Sequence, residues 1–163
     1  MHRAIDRLTD TDPDVKVLNR MLSTRHGRYA SVVTDIGFDY FLWHNWEDFG
    51  PRNFTDFTTA TYANLYARRD VMSTRVQGYV NGMVKDDWLR LYTTRTGMER
   101  VFYRLRPRLS RPALLDGVET VLVDFHDEFN HTFLRLFPRL QTLADAYRPP
   151  TDRPAPNSLQ PPT

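Results

Sequence analysis

The sequence predicts an all-α fold: one helical domain of six or seven helices over residues 1–147, then a disordered, proline-rich tail over 148–163. Three observations carry this. Apolar residues recur three and four apart through almost every segment, with no run of strict alternation. The hydrophobic fraction is 40% and the aromatic fraction 13%, enough for a core in a chain of 163 residues. Residues 149–163 hold six of the eleven prolines and no aromatic residue, a composition that buries too little apolar surface to fold.

Taken in order, residues 2–9 read as the end of a helix with Ala4, Ile5 and Leu8 on one side. Thr11-Asp12-Pro13 is a restart: an Asp able to cap the free backbone N–H groups, then Pro at the first helical position, where its missing N–H costs nothing. The next helix carries Val15, Leu18, Met21 and Leu22 and should stop near Gly27. A longer helix is expected over 28–48. Its core stripe is Tyr29, Val32, Val33, Ile36, Tyr40 and Trp43, and a second stripe is Asp35, Asp39, Leu42 and Trp46. Gly50-Pro51 ends it. Residues 54–69 form another helix, with Phe57, Thr61 and Leu65 in phase. The pattern continues over 71–92 through Met72, Val76, Tyr79, Val80 and Met83, with a break near Gly82 and a new turn at Asp86-Asp87-Trp88-Leu89. Met98, Val101, Phe102 and Leu105 define a short helix before Pro107. A last long helix carries Leu115, Val118, Leu122, Phe125, Phe129 and Phe133 as far as Phe137-Pro138 and a little beyond.

Composition excludes several chemistries. With no cysteine, disulfides, thiolate nucleophiles and cysteine-ligated zinc are impossible. A metal here must be held by His, Asp or Glu, which favours harder ions. No apolar run reaches the roughly 18–20 residues of a membrane span, and the charged N-terminus is no signal peptide, so a cytoplasmic protein is expected. The net charge is +2, but twenty of the 22 basic residues are Arg, the other two being Lys16 and Lys85. That bias reads either as genomic composition or as bidentate recognition of phosphate and carboxylate.

Three constellations could carry chemistry. His2 and Asp6 lie four apart, as do Asp35 and Asp39, so each pair shares a helix face. Carboxylates beside large apolar groups need a positive partner, either Arg or a metal. Spacing alone favours structural pairing with Arg3 or Arg7. The second constellation is the segment 90–111, where seven Arg (90, 95, 100, 104, 106, 108 and 111) face one acid, Glu99, for a local charge of +6. It is either a solvated surface or an electrostatic landing site for an acidic partner. Nucleic acid is disfavoured, because no recognition motif accompanies the charge. The third, Asp124-Phe125-His126-Asp127, contains a His-Asp doublet but falls beside the Phe125/Phe129 face, so a surface doublet is expected.

The same residues resemble a known pattern. His2-Arg3-Ala4-Ile5-Asp6-Arg7-Leu8-Thr9-Asp10, followed by Pro13, is similar to the opening motif of the bacterial acyl carrier protein phosphodiesterases. Asp35-Ile36-Gly37-Phe38-Asp39-Tyr40-Phe41-Leu42, then Asn45-Trp46, resembles that family's D-x-x-x-D-H-F-L-x-x-x-W. Asn81-Gly82-Met83, Asp87-Trp88-Leu89 and Phe133…Phe137-Pro138 follow in the family's order.

The resemblance implies a fold related to the HD-domain phosphohydrolases. It implies metal-dependent hydrolysis of the phosphodiester joining 4′-phosphopantetheine to a serine of holo-acyl carrier protein. Manganese is the implied ion, with His2, Asp6, Asp35 and Asp39 holding it. Asp39 would orient or deprotonate the attacking water, and Arg3 would neutralise phosphate charge. The acidic acyl carrier protein gives the 90–111 segment a partner. Two departures stand out. The family's opening helical segment is not found, so the start of the protein is expected upstream, and self-association through exposed apolar surface is expected of this chain. The family's Asp-His is here Asp39-Tyr40, and a Tyr, with its pKa near 10, is a poor ligand for a hard ion at neutral pH; His44, one turn on, is the candidate substitute. These departures keep a second expectation open: a non-catalytic helical module that binds an acidic partner such as acyl carrier protein.

Overall fold

A computed structural model describes residues 1–147; the tail expected over 148–163 lies outside the described residues. Helix α1 (His2–Thr11) ends at Asp12. Asp12 then caps α2 (Pro13–His26), accepting from the N–H groups of Asp14 (2.9 Å) and Val15 (3.2 Å) with Pro in the first turn. This is the restart that local chemistry dictates. Gly27 ends α2 at φ +52, a conformation only Gly adopts without strain.

The helix expected over 28–48 is divided. A 3₁₀ turn at Gly27–Tyr29 leads into α3 (Ala30–His44), and α4 (Trp46–Phe49) follows a break at Asn45. The break is stabilised by the Asn45 amide, which donates to the Phe41 carbonyl and to Asn130 Oδ1, each at 2.8 Å. α5 (Phe54–Ala67) is capped by Asn53. In the next segment α6 (Thr74–Lys85) runs through Gly82, and the break falls at Asp86-Asp87, where Asp87 is left-handed (φ 46). The Tyr62 hydroxyl donates to the Asp87 carboxylate (2.8 Å) and accepts from the Leu89 N–H (2.9 Å), fixing the start of α7 (Trp88–Leu91).

α8 (Arg95–Leu105) follows, capped by Thr94. The last long helix is also divided. Leu115 sits in a 3₁₀ turn, left-handed Gly117 starts α9 (Val118–Asp124), and a bend at Phe125 precedes α10 (His126–Ala146). α10 continues two turns past Pro138. Seven of these helices have ten residues or more, and no strand occurs among the described residues.

α3 lies between α2 and α10, so it buries more than one stripe. Its inaccessible residues are Ala30, Val33, Thr34, Gly37 and Phe41, whereas Val32, Ile36, Tyr40 and Trp43 are half-buried. The expected stripe is thus offset. The reason is that α3 is apolar nearly all round, so periodicity does not define one inward face. The core joins Leu18 and Leu22 of α2, Val33 and Phe41 of α3, Met98 and Phe102 of α8, Val121 of α9, and Phe129 and Phe133 of α10. Each such side chain contributes about 1.5–3 kcal/mol by leaving water. Phe41 and Phe129 stack with centroids 5.5 Å apart, and Gly37 brings α3 close enough for this. That contact sets the height of Asp35 and Asp39 over α10.

Candidate functional site

A recess of about 470 Å³ opens where α1, α3 and α10 meet. α1 contributes Asp6 and Asp10, and α3 contributes Asp35 and Asp39. Phe133, Leu136, Phe137 and Leu140 of α10 supply the apolar wall. Helical periodicity explains the arrangement. Each acidic pair is four apart on its helix, and the two helices turn those stripes toward a common space.

The electrostatics follow from the placement. Asp35 is raised above the usual carboxylate range, first by burial and then by the charges of Asp10 and Asp6. Asp39 is pushed up to about 6, again first by burial and then by Asp35. Both residues are exposed to water at the recess, and the burial that raises them comes from the Phe and Leu side chains packed beside them. Neither makes an ion pair among the described residues. The Arg pairing that spacing alone favoured is therefore not formed, and Arg3 and Arg7 are exposed on α1.

The other expected residues divide. His2 Nδ1 lies 3.5 Å from Asp6 Oδ1, with the imidazole 90% exposed, so the pair forms but His2 stands beyond the recess. Arg3 does not line the recess either. Tyr40 stacks on His44 (centroids 6.2 Å apart) and meets Phe41 edge-on, and neither Tyr40 nor His44 lines the recess. His44 instead packs against His126 at 5.2 Å, so it does not replace the family histidine. Asp124 pairs with Arg25, and His126 Nδ1 lies 3.2 Å from the exposed Asp127, which is the surface arrangement expected of the doublet. Asp10, not among the expected ligands, also lines the recess, and Asp6 and Asp10 repeat the same four-residue interval.

Asp35 and Asp39, raised first by burial and then by neighbouring carboxylates, and without an ion pair among the described residues, have the chemistry a hard divalent cation relieves. Among the described residues, no three His, Asp or Glu side chains are close enough to enclose an ion. The fit is therefore to a cation that keeps several waters and takes one or two carboxylates plus substrate phosphate, as magnesium-like ions commonly do.

The Arg-rich segment separates into two groups. Arg90 pairs with Asp87 (3.0 Å), Arg95 with Glu99 (3.5 Å), Arg104 with Asp86 (3.0 Å) and Arg106 with Asp116 (2.6 Å). Arg100, Arg108 and Arg111 form no ion pair among the described residues, although Arg100 lies near enough to Asp86 to help hold its carboxyl low. No helix of the described residues is long and apolar enough to cross a membrane.

No solved structure matches the chain. It is 28% identical over 153 residues to the acyl carrier protein phosphodiesterase of Escherichia coli O139:H28, which covers 88% of this chain and 75% of that one. It is 25% identical over 146 residues to the protein of the same name from Serratia proteamaculans, with the same coverage. Residues 1–140 match the acyl carrier protein phosphodiesterase family as a whole, across both acidic pairs and all three helices of the recess. The chain belongs to the acyl carrier protein phosphodiesterase family.

Proposed function

We propose that this chain hydrolyses the phosphodiester between 4′-phosphopantetheine and a serine of holo-acyl carrier protein. The observation that carries the reading is the convergence of Asp6, Asp10, Asp35 and Asp39 on one recess in a member of this family. Asp35 and Asp39 would hold a divalent cation, proposed to be manganese, with Asp6 and the nearby His2 contributing through water. When bound, the ion supplies Lewis acidity to the phosphoryl oxygens and lowers the pKa of a coordinated water. Asp39 is assigned to orient the attacking water or to accept its proton. The water oxygen bonds to phosphorus, the phosphorus–oxygen bond to serine breaks, and a proton returns to the serine oxygen. Arg3, free of acidic partners on the helix that carries Asp6, is assigned to charge neutralisation at the phosphate.

Arg100, Arg108 and Arg111 are proposed to receive the acidic carrier protein, since none of them forms an ion pair among the described residues. We assign the protein to the cytoplasm, and self-association through its apolar surface is part of the same proposal. The test is mass spectrometry of holo-acyl carrier protein after incubation with the purified chain and manganese. Loss of the phosphopantetheine arm that disappears in Asp39→Ala is the expected result. Retention of the arm would reject hydrolysis. The non-catalytic reading is favoured by Tyr40 and by the lack of three clustered ligands among the described residues; it requires that the carrier protein bind and leave uncut.

A further inference from the structure

Asp39 has a hollow on each side. Beyond the acidic recess it also borders a second, apolar cleft of about 260 Å³. The walls of this cleft come from successive elements: Trp43 of α3, Trp46 of α4, Phe57 of α5, Met83 of α6, Leu89 of α7, and Tyr92 just after it. Asp39 and Leu42 line both hollows. The cleft is well built. Trp46 packs on Phe57 with centroids 4.9 Å apart and on Phe54 at 5.0 Å. Its indole N–H donates to the Arg52 carbonyl at 2.7 Å, which fixes the ring.

We propose that this cleft binds the non-phosphate part of the phosphopantetheine arm, an uncharged amide chain ending in a thiol, while the phosphodiester lies on the recess side of Asp39. The proposal rests on the reading of the recess as a phosphodiester site. Three features select this occupant. Continuity comes first: a ligand whose phosphorus lies beside Asp39 has its next atoms at the mouth of the cleft. Size comes second. The cleft is smaller than the roughly 300–1,000 Å³ that encloses a drug-sized molecule, so it takes a portion of a linear chain. Chemistry comes third. The cleft has no basic side chain and a single carboxylate at its entrance, so an acidic segment of a partner protein is not accommodated. Methyl and methylene groups suit its aromatic walls. Tyr92 and Trp43 line it, neither with a side-chain hydrogen bond among the described residues, and each carries a donor that an amide carbonyl would accept from.

The test uses the full chain, labelled with ¹⁵N, and pantetheine, which lacks the phosphate. The chain has three tryptophans, two in the cleft and one, Trp88, outside it. Saturable movement of the Trp43 and Trp46 indole signals with a stationary Trp88 is expected. Met83→Phe, a conservative but larger wall residue, should weaken that binding about ten-fold while its melting curve shows a folded protein. No movement, equal movement of all three signals, or undiminished binding by folded Met83→Phe would overturn the assignment. The same preparation assayed on holo-acyl carrier protein separates the two proposals. Cleavage without pantetheine binding overturns the cleft alone. Pantetheine binding without cleavage supports the cleft and overturns hydrolysis.

Discussion

Gly37 lies so close to Phe129 that a Cβ on the glycine would overlap the ring. Phe129 is fully buried and stacked on Phe41, so it has nowhere to swing. Gly37→Ala should therefore destabilise the fold by about 1–3 kcal/mol despite alanine's better helix propensity. Gly78 in α6 is the control. Nothing lies within 4 Å of its added Cβ, and Gly78→Ala should stabilise by about 0.5–1 kcal/mol. Urea denaturation of the two variants should move the midpoint in opposite directions, and a common direction would refute the packing argument.

Asp39 makes a pH prediction whose sign is opposite to that of an ordinary salt-bridged aspartate. Its folded pKa of about 6 exceeds the unfolded value near 4, so between these values the folded chain binds more protons than the unfolded one. Its contribution to stability falls as pH rises through that window. Asp39→Asn should melt at a higher temperature than the wild type at about pH 7.5 and match it at about pH 4, while losing carrier-protein cleavage. Scanning calorimetry at the two pH values decides it.

Manganese should offset the cost of charging Asp35 and Asp39 beside the apolar wall. At about one hundred times its dissociation constant, a bound ion stabilises by roughly 2.7 kcal/mol. A rise in melting temperature is expected at about pH 7.5, with a smaller rise near pH 4.5 where protons compete for the carboxylates. The increment should vanish in the Asp35→Asn, Asp39→Asn double variant. A shift of equal size in that variant would place the ion elsewhere.

Asp12 is both a cap and an ion-pair partner. Its side chain is 1% exposed, accepts two backbone N–H groups of α2, and meets Arg139 of α10 at 2.9 Å. Arg139 also pairs with Asp14 at 3.2 Å, and Arg135 with Asp14 at 3.1 Å. Asp12→Ala should cost about 2–3 kcal/mol, more than a cap alone, because Arg139 loses a buried counter-charge. A loss below about 1 kcal/mol in chemical denaturation would mean that the pair contributes nothing beyond the cap.

Charge reversal at Arg100, Arg108 or Arg111 should each weaken capture of acyl carrier protein several-fold, and the loss should shrink at high salt. Arg106→Gln should instead lower stability. Its guanidinium is engaged with Asp116 and with the Leu115 carbonyl at 2.7 Å. Surface plasmon resonance with immobilised carrier protein, paired with melting curves, distinguishes the two groups. Equal binding losses in all four would contradict the division.

The parts of this fold governed by neighbouring residues are legible in the sequence. Asp12-Pro13 restarts a helix because cap and proline act within one turn, whereas the turn at Asp87 is also held by Tyr62, 25 residues away. The division at Asn45 is not legible, because its amide is held by Asn130, 85 residues away. The bend at Phe125 carries no Gly or Pro to mark it. Phe41 is hidden as a core residue by the all-round hydrophobicity of α3. In the site, Asp6, Asp35 and Asp39 are found by spacing, and Asp10 could be. The cleft beyond Asp39 is invisible in one dimension, since six of its wall residues come from successive elements spread over 50 positions.

The recess is walled by residues 5–10, 35–42 and 133–140, which has a consequence for how the protein comes into being. Most of the chain must leave the ribosome before α10 is available, so α1 and α3 emerge with their acidic faces uncovered and their Gly37 groove empty. Contacts so distant in sequence form late and slowly. The recess is thus the final product of folding, and a ribosome stalled before residue 133 would carry a helical chain in which it has not formed.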